Sequence, residues 1–294
     1  MNLQMGKEEL TMGGKYLTEL RTSNSLMGDF QALRQRMEED GYLFIKGFHD
    51  REKVLQVRSE IVEKIEEMGH LQPNTDREDA IANEENNNVS INYKEYPSLI
   101  EVVNSEKVMS FFNQFLGGEA ITYDYKWARA IPKGGFTGAH YDIVYMGRGT
   151  KDLYTCWTPL TDVSLEMGPL AVCVGSHRFK QLKETYGNMD VDRDNISKTG
   201  WFSSNPIEIV DKHGGKWASA SVEAGDVIIF GMFTMHGSLN NTTNRYRISA
   251  DTRYQLNTEP IDERWIGENP KGHYAWNKEI EPVPMETARE KWGV

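Results

Sequence analysis

Apolar and polar positions follow two different periods along this chain, and the change comes near residue 118. Before it, apolar side chains recur three and four residues apart in three segments, a spacing typical of amphipathic helices. Aspartates that can cap a helix precede the first two segments, and a glycine ends each of the three. The pattern predicts helices over 29–41, 50–69 and 97–117, with a buried strand over 42–48.

After residue 118, apolar residues alternate with polar ones in short runs bounded by Gly, Pro, Asn and Asp, which is the pattern of half-buried strands. Helices followed by a strand-rich body indicate a mainly β fold, a barrel or sandwich braced by N-terminal helices. The predicted strands span 121–125, 139–146, 153–160, 170–174, 227–230 and 245–254.

The same patterns predict how the chain is organised. Residues 1–28 are mixed in composition without a sustained period, so we expect a loosely attached N-terminal extension. The remainder, 29–294, is expected to form a single domain. Its predicted parts are helices (29–117), a β-barrel core (119–255) and a C-terminal extension (256–294).

Two polar segments, 70–96 and 187–206, lack an apolar face. A loop as long as 70–96 within a compact domain is usually either disordered or functional. Two interpretations therefore stay open for it: an idle surface loop, or a mobile lid over a site.

Candidate metal ligands occur at two places in the strand-rich region. His140 and Asp142 are two residues apart, so in an extended strand both would point to the same face. His236 follows the apolar run 225–230 and could be carried back to that pair. Two histidines and a carboxylate on one side of a metal form the facial triad of non-haem Fe(II) oxygenases. A lone His-x-Asp, however, often occurs by chance.

The last predicted strand has one strongly polar face. Counting by twos places Arg245, Arg247, Ser249, Asp251 and Arg253 on that face, with Tyr246, Ile248, Ala250, Thr252 and Tyr254 on the other. The polar face is either a solvated surface or the lining of a polar cavity. In the second case, the guanidinium of Arg247 beside the hydroxyl of Ser249 suits the capture of a carboxylate.

These residues, at these spacings, resemble the phytanoyl-CoA dioxygenase family of Fe(II)/2-oxoglutarate oxygenases. The similar motifs lie between about residue 30 and residue 255. They are the opening 40–48, His140-x-Asp142, Gly168-Pro169-Leu170 leading to Gly175-Ser176-His177-Arg178, His236-Gly237-Ser238, and Arg247 eleven residues after the second histidine.

The resemblance implies a double-stranded β-helix, the jelly-roll or cupin-like barrel. It implies His140, Asp142 and His236 as iron ligands and Arg247 as the residue that holds the distal carboxylate of 2-oxoglutarate. By motif position, Trp157 and Ser238 would surround this cosubstrate. His177 has a structural counterpart in the family, so we expect no ligand role for it. His49, His70, His213 and His273 sit among polar residues and are expected at the surface.

The implied chemistry is oxidation of a substrate by O2, coupled to conversion of 2-oxoglutarate into succinate and CO2. Hydroxylation is the commonest outcome, with desaturation or epoxidation as alternatives. Related halogenases lack the carboxylate ligand, so Asp142 argues for a hydroxylase. A catalytically silent metal-binding barrel, acting as a sensor or scaffold, is another possibility, but such a protein has no use for Arg247 as a cosubstrate clamp.

Net charge limits the classes of partner that we expect, and cysteine content indicates the cellular compartment. A net charge of −11 without a local basic cluster argues against nucleic acid and anionic membranes, and it disfavours an acyl-CoA substrate because coenzyme A carries phosphates. We expect a small metabolite or natural-product intermediate. With two cysteines, no apolar leader and no run of about 20 apolar residues, a cytoplasmic setting is expected. Nothing in the sequence indicates the oligomeric state.

Overall fold

A computed structural model describes residues 1–274 and 280–294, and it is mainly β-sheet, as the alternation predicts. Part of the predicted C-terminal extension, 275–279, lies outside the described residues. The strands are β1 (Asn2–Met5), β2 (Glu8–Thr11), β3 (Leu17–Glu19), β4 (Tyr42–Ile45), β5 (Ala120–Thr122), β6 (Trp127–Ile131), β7 (Tyr154–Pro159), β8 (Leu170–Val174), β9 (Lys216–Ser219), β10 (Val227–Gly231), β11 (His236–Ser238) and β12 (Arg247–Leu256). The helices are α1 (Phe30–Asp40), α2 (Arg51–Glu67), α3 (Pro97–Val103), α4 (Glu106–Leu116), α5 (Ile143–Met146), α6 (Lys180–Glu184), α7 (Pro206–His213) and α8 (Met285–Trp292).

The first two predicted helices are confirmed with their predicted ends. The Asp29 carboxylate accepts a hydrogen bond from the amide of Ala32 at the start of α1, and Gly41 ends this helix at φ +85°. Asp50 caps α2 in the same way, because its carboxylate accepts from the amides of the first turn. None of the helices in the described ranges has the length and apolarity to cross a membrane.

The single helix predicted over 97–117 is wrong, because the chain forms two helices there. The helical path breaks at Ser105, which adopts an extended conformation with ψ 154°. The break lets the two helices bury different faces: α3 packs its apolar residues with α2, whereas the phenylalanines of α4 pack with α1 and strands of a large sheet. A continuous helix would keep a single stripe and could not serve both clusters.

Two sheets dominate the molecule. The larger has the strand order β4-β10-β7-β12-β5, with β6 also paired to β12, and all of its pairings are antiparallel. The smaller has the order β11-β8-β9-β3. No closed barrel forms among the strands of the described ranges, so the predicted β-barrel core is replaced by an open pair of sheets.

The two sheets share a buried apolar cluster, which places part of the core between them. Phe44, Ile228 and Phe230 from the larger sheet meet Val172 and Ala218 from the smaller. On the opposite face of the larger sheet, α1 and α4 contribute to a second cluster, in which the ring of Phe112 stacks on Tyr254. Because one face of β12 is polar, the space between the sheets is apolar on the β4–β10 side and polar on the β12 side.

The expectation of a loosely attached N-terminal extension is wrong. β1 and β2 form a hairpin, and β3 pairs in parallel with β9 at the edge of the smaller sheet. Leu3, Met5 and Leu17 are buried in the largest apolar cluster. The strands have only three or four residues each, which is too short for a period to be visible in the sequence.

Candidate active site

His140, Asp142 and His236 come together at the polar end of the space between the sheets. One ligand atom from each lies within 4.8 Å of the others, close enough for a single ion to contact all three. The Oδ1 atom of Asp142 is 3.8 Å from Nε2 of His140 and 3.7 Å from Nε2 of His236. All three residues are buried.

The route to this geometry differs from the predicted one. A strand over 139–146 was expected, but α5 begins at Ile143 and Asp142 has helical backbone angles. His140 and His236 lie directly opposite each other in an antiparallel bridge, and each backbone amide donates to the other residue's carbonyl. The bridge brings the two rings side by side, with centroids 4.1 Å apart, and the turn after Tyr141 brings the carboxylate to them.

Both imidazoles are oriented by backbone carbonyls. Nδ1 of His140 lies 2.8 Å from the carbonyl oxygen of Gly138, and Nδ1 of His236 lies 2.9 Å from that of Thr234. Because a carbonyl can only accept, each Nδ1 donates its proton and each Nε2 carries the lone pair that a metal requires. Burial lowers the pKa of both rings, to about 3 for His140, so both are neutral at physiological pH.

The second oxygen of Asp142 is held by two groups that the sequence did not assign to the site. Nη2 of Arg253 lies 3.2 Å from Oδ2, and the Thr155 hydroxyl donates to the same oxygen. Although burial alone would raise the pKa of this carboxyl, Arg253 holds it well below its usual range. Oδ1 is therefore directed towards the histidines as a charged ligand.

Arg247 lines the same cavity from β12 and has unused binding capacity. Its Nη1 donates to the carbonyl oxygen of Gly168 at 2.6 Å, whereas its buried Nε has no hydrogen-bond partner. Burial, followed by the nearby Arg129, lowers the pKa of Arg247 to about 10, so it stays charged at neutral pH. A buried cation with an unpaired N–H favours an anion in the cavity, and a carboxylate of 2-oxoglutarate fits this requirement.

The other residues predicted to contact the cosubstrate also line the cavity. Trp157, Ser238 and Ser249 are each about 2% exposed and face the space around the triad. The Ser238 hydroxyl additionally accepts from the amide of Thr137, which fixes its position. Arg245, placed on the same face by counting, lies outside β12 and pairs at the surface with Asp79.

The structure shows whether the two polar segments, 70–96 and 187–206, and His273 contribute to the cavity. None of the residues of 70–96 lines it. Their buried apolar side chains pack instead with α2, α3 and β12, and their backbone bonds to residues 244–246, just before β12, around a bridge between Ile81 and Arg245. The segment 187–206, predicted only as a polar loop, supplies Thr199 and Trp201 to its wall. His273, expected at the surface, is half-buried and also lines it, with Nδ1 2.9 Å from Asp192.

His177 lies away from the triad, as expected. Its ring packs against Gly41, and its Nε2 is 2.8 Å from the carbonyl oxygen of Glu38. The neighbouring Ser176 hydroxyl accepts from the amide of Met235, the residue before His236. The Gly-Ser-His-Arg segment therefore supports the loop that carries the second histidine.

Sequence comparisons find relatives that match most of this chain. The model of the phytanoyl-CoA dioxygenase family, PhyH, matches residues 37–249. The 1-deoxypentalenic acid 11-beta-hydroxylase of Streptomyces exfoliatus is 24% identical over 251 residues, which cover 78% of this chain and 82% of the relative. The ectoine dioxygenase of Bordetella parapertussis is 26% identical over 252 residues, covering 81% and 79%.

Solved structures show the same fold. EctD from S. alaskensis with 2-oxoglutarate and 5-hydroxyectoine has a TM-score of 0.56 at 17% identity, covering 91% of this chain and 92% of that one. The epimerase SnoN from nogalamycin biosynthesis, in complex with Fe3+, alpha ketoglutarate and nogalamycin RO, has a TM-score of 0.56 at 17% identity, covering 87% and 97%. These neighbours have the jelly-roll fold. The chain belongs to the phytanoyl-CoA dioxygenase family and is an Fe(II)/2-oxoglutarate-dependent dioxygenase, with O2 as the oxidant.

Proposed function

We propose that this dioxygenase hydroxylates a small metabolite or natural-product intermediate, with formation of succinate and CO2. The observation that carries the proposal is the meeting, in one cavity, of three neutral or anionic ligand atoms and a buried arginine with an unpaired N–H. The relatives named as a hydroxylase and a dioxygenase of small molecules support the same reaction class.

Within this proposal each residue has a role. His140, Asp142 and His236 hold the iron through Nε2, Oδ1 and Nε2. Arg247 binds the distal carboxylate of 2-oxoglutarate, assisted by the hydroxyls of Ser238 and Ser249, while Trp157 closes the apolar side. When bound, iron with 2-oxoglutarate and O2 supplies the oxidising power. The protein supplies orientation, fixed charges and a site largely shielded from water.

The size of the cavity favours a small substrate over an acyl-CoA. Its volume is about 350 Å³, near the lower end of the range for ligand sites, and the cosubstrate must share it. Both carboxylates among its described lining residues, Asp142 and Asp251, are paired with arginines. A cationic substrate would therefore lack a counter-ion.

We further propose that the two sheets form a double-stranded β-helix core braced by N-terminal helices, in one domain spanning 29–294 together with β1 to β3. The packing of α1 and α4 on the larger sheet supports this arrangement. Cys156 and Cys173 are free and buried, which supports a cytoplasmic setting, and the charge of −11 supports small molecules rather than nucleic acid or membranes as partners.

Iron content tests the triad. In His236→Ala, two ligands remain, so iron retained after anaerobic reconstitution and desalting should fall from about one ion per chain to a small fraction. His213→Ala, on α7 outside the cavity, is the matched control and should keep its iron. Stoichiometric iron in His236→Ala would remove His236 from the triad.

Cosubstrate affinity tests the clamp. Arg247→Lys keeps the charge but loses the planar fork, so the affinity for 2-oxoglutarate should fall by about tenfold or more, on the scale of charge-assisted hydrogen bonds. Iron binding should be unchanged, and Arg245→Lys at the surface serves as the control. Unchanged 2-oxoglutarate affinity in Arg247→Lys would reject the assignment.

Product formation tests the reaction. Metabolite pools incubated with the enzyme, Fe(II) and 2-oxoglutarate should show a compound that gains the mass of one oxygen, with succinate formed in step. The gain should require all three components. A loss of two hydrogens without added oxygen would indicate desaturation, and the absence of any change in broad pools would favour the silent-scaffold alternative.

A further inference from the structure

Arg129 is a cavity-lining cation that the proposed roles of iron and cosubstrate do not use. It lies on β6 directly opposite Ser249 of β12, so its side chain points into the space between the sheets. Its Nη1 donates to Oδ2 of Asp251. A guanidinium has five N–H donors, and this pairing engages one edge of the group.

Exposure distinguishes Arg129 from the other two arginines of the described cavity wall. The side chain of Arg253 is 4% exposed and is engaged with Asp142, whereas that of Arg129 is 41% exposed. Arg247 is 3% exposed and lies beside the space proposed for 2-oxoglutarate. Arg129 therefore presents an accessible guanidinium to a ligand that enters after the cosubstrate.

The charge of the cavity also favours an anion. Its described lining side chains include three arginines and two aspartates, an excess of one positive charge. The two positive charges of Fe(II) and the two negative charges of 2-oxoglutarate cancel. A ligand with a single negative charge would neutralise the loaded site, and a carboxylate suits the planar fork of an arginine.

Two tryptophans of the same wall pack against neighbouring groups of the protein. The ring of Trp127 packs against that of Trp265 with centroids 4.9 Å apart. On Trp127 also lies the Arg253 guanidinium, 4.6 Å from the centroid of the Trp127 ring. Trp201 packs over Gly138, where an added Cβ would come within 2.5 Å of the indole. Fixed indole surfaces provide apolar contact area at a small entropic cost.

We propose that the substrate is a small, ring-bearing carboxylic acid, whose carboxylate binds Arg129 and whose apolar body contacts Trp127 and Trp201. This inference rests on the proposed function, because it treats the remaining space beside iron and 2-oxoglutarate as the substrate site. It adds the chemical class of the substrate and a residue that selects it.

The test compares acids with matched neutral compounds. Small aromatic and alicyclic carboxylic acids, each paired with its primary amide, are titrated calorimetrically into the protein loaded anaerobically with Fe(II) and 2-oxoglutarate. At least one acid should bind about tenfold or more tightly than its amide. Arg129→Gln should bring that ratio close to one, and Arg129→Lys should restore part of it. If no acid binds more tightly than its amide, the proposal is wrong.

Further variants distinguish direct binding by Arg129 from a general effect of charge. Lys133→Gln removes one exposed positive charge from the same segment and should leave the acid preference intact. Arg129→Gln exposes the charge of Asp251, so the double variant Arg129→Gln/Asp251→Asn, which removes both charges, is needed. A double variant that regains the preference would show that Arg129 does not bind the acid.

The cosubstrate provides the last control. Arg129→Gln should change the affinity for 2-oxoglutarate by less than about twofold, and a tenfold loss would assign Arg129 to the cosubstrate and overturn the proposal. Failure of the oxygenase function itself would look different, because the wild-type protein would then bind neither iron nor 2-oxoglutarate before any acid is added.

Discussion

At the residue level, the state of Asp142 depends on Arg253. Taking a carboxylate out of water costs several kcal/mol unless a partner offsets the loss, and a carboxylate must be ionised to bind a metal well. Arg253 supplies the opposite charge at 3.2 Å, and the guanidinium is itself fixed against Trp127. It acts on the proposed metal position through Asp142, so we regard it as a positioning residue.

Removing this partner should weaken iron binding. In Arg253→Gln the pKa of Asp142 rises because burial is no longer opposed, and the affinity for Fe(II) should fall by about 10- to 100-fold, the usual effect of losing a group that orients a ligand. Because the proton competes with iron, the defect should shrink as the pH is raised, which a purely structural defect would not do. Competition titrations against a chelator at several pH values measure both effects. Arg245→Gln, a surface change just before β12, is the control, and equal affinity in both variants would reject the role.

The sequence pointed to some residues of the site and missed others, depending on whether a local pattern identifies them. Motif spacing and the family resemblance pointed to the candidate triad and Arg247, and strand alternation pointed to the cavity-facing side of β12, because both are local properties. Alternation did not give the position of Asp142, which lies at the start of a helical turn. Counting by twos even placed Arg253 on the correct face, but its role depends on a turn that brings Asp142 beside it. Trp201 and His273 lie in segments without periodicity, so only the folded chain reveals them.

At the level of elements, even the shortest strands pair with a sheet and bury apolar side chains. β3 has three residues, yet it pairs with β9 and buries Leu17 completely at the edge of the smaller sheet. The sheet that receives it also contains β11, which carries His236. The N-terminal segment is therefore connected to the sheet of the site through two intervening strands.

Replacing Leu17 by alanine tests how much the packing of β3 contributes to the free energy of unfolding. Leu17→Ala should lower the free energy of unfolding by about 2–5 kcal/mol, because it removes buried methyl groups and leaves a cavity. The neighbouring Thr18 is only partly buried, so Thr18→Ala should change stability by roughly 0.5 kcal/mol or less. Urea unfolding followed by circular dichroism gives both values. A loss below about 1 kcal/mol for Leu17→Ala would restore the interpretation of a loose extension.

Elements were predicted well where a full period or a cap was present and poorly elsewhere. α1 and α2 have aspartate caps, several turns and terminal glycines. The division between α3 and α4 is set by which clusters the two halves must reach, and the helical turn at α5 replaces a strand because Asp142 has to approach two histidines. In both places, tertiary packing outweighs the helix and strand preferences of the local sequence.

For the whole molecule, the arrangement of buried histidines makes the fold sensitive to acid. His49, predicted at the surface, lies instead between α4 and the larger sheet, where it is 6% exposed and its Nε2 is 3.3 Å from the Thr158 hydroxyl. Burial, with a smaller contribution from Lys107, lowers its pKa from 6.5 to about 4. This histidine does not line the cavity of the proposed metal position, so it reports on packing rather than on iron binding.

The sign of the effect follows from proton linkage. Below about pH 6.5 His49 is protonated in the unfolded chain, whereas in the folded protein it stays neutral down to about pH 4. The free energy of unfolding therefore falls as the pH is lowered through this interval, and His49 does not change it above the interval. Between pH 8 and pH 5 this amounts to about 2 kcal/mol. In His49→Gln, the loss of unfolding free energy over that range should be smaller by about this amount, measured by urea unfolding of the iron-free protein so that metal release does not contribute. Thr158→Val, which removes the hydrogen-bond partner but leaves the titrating group, should retain the full dependence. Parallel pH profiles for wild type and His49→Gln would show that His49 is protonated as easily in the folded protein as in the unfolded chain.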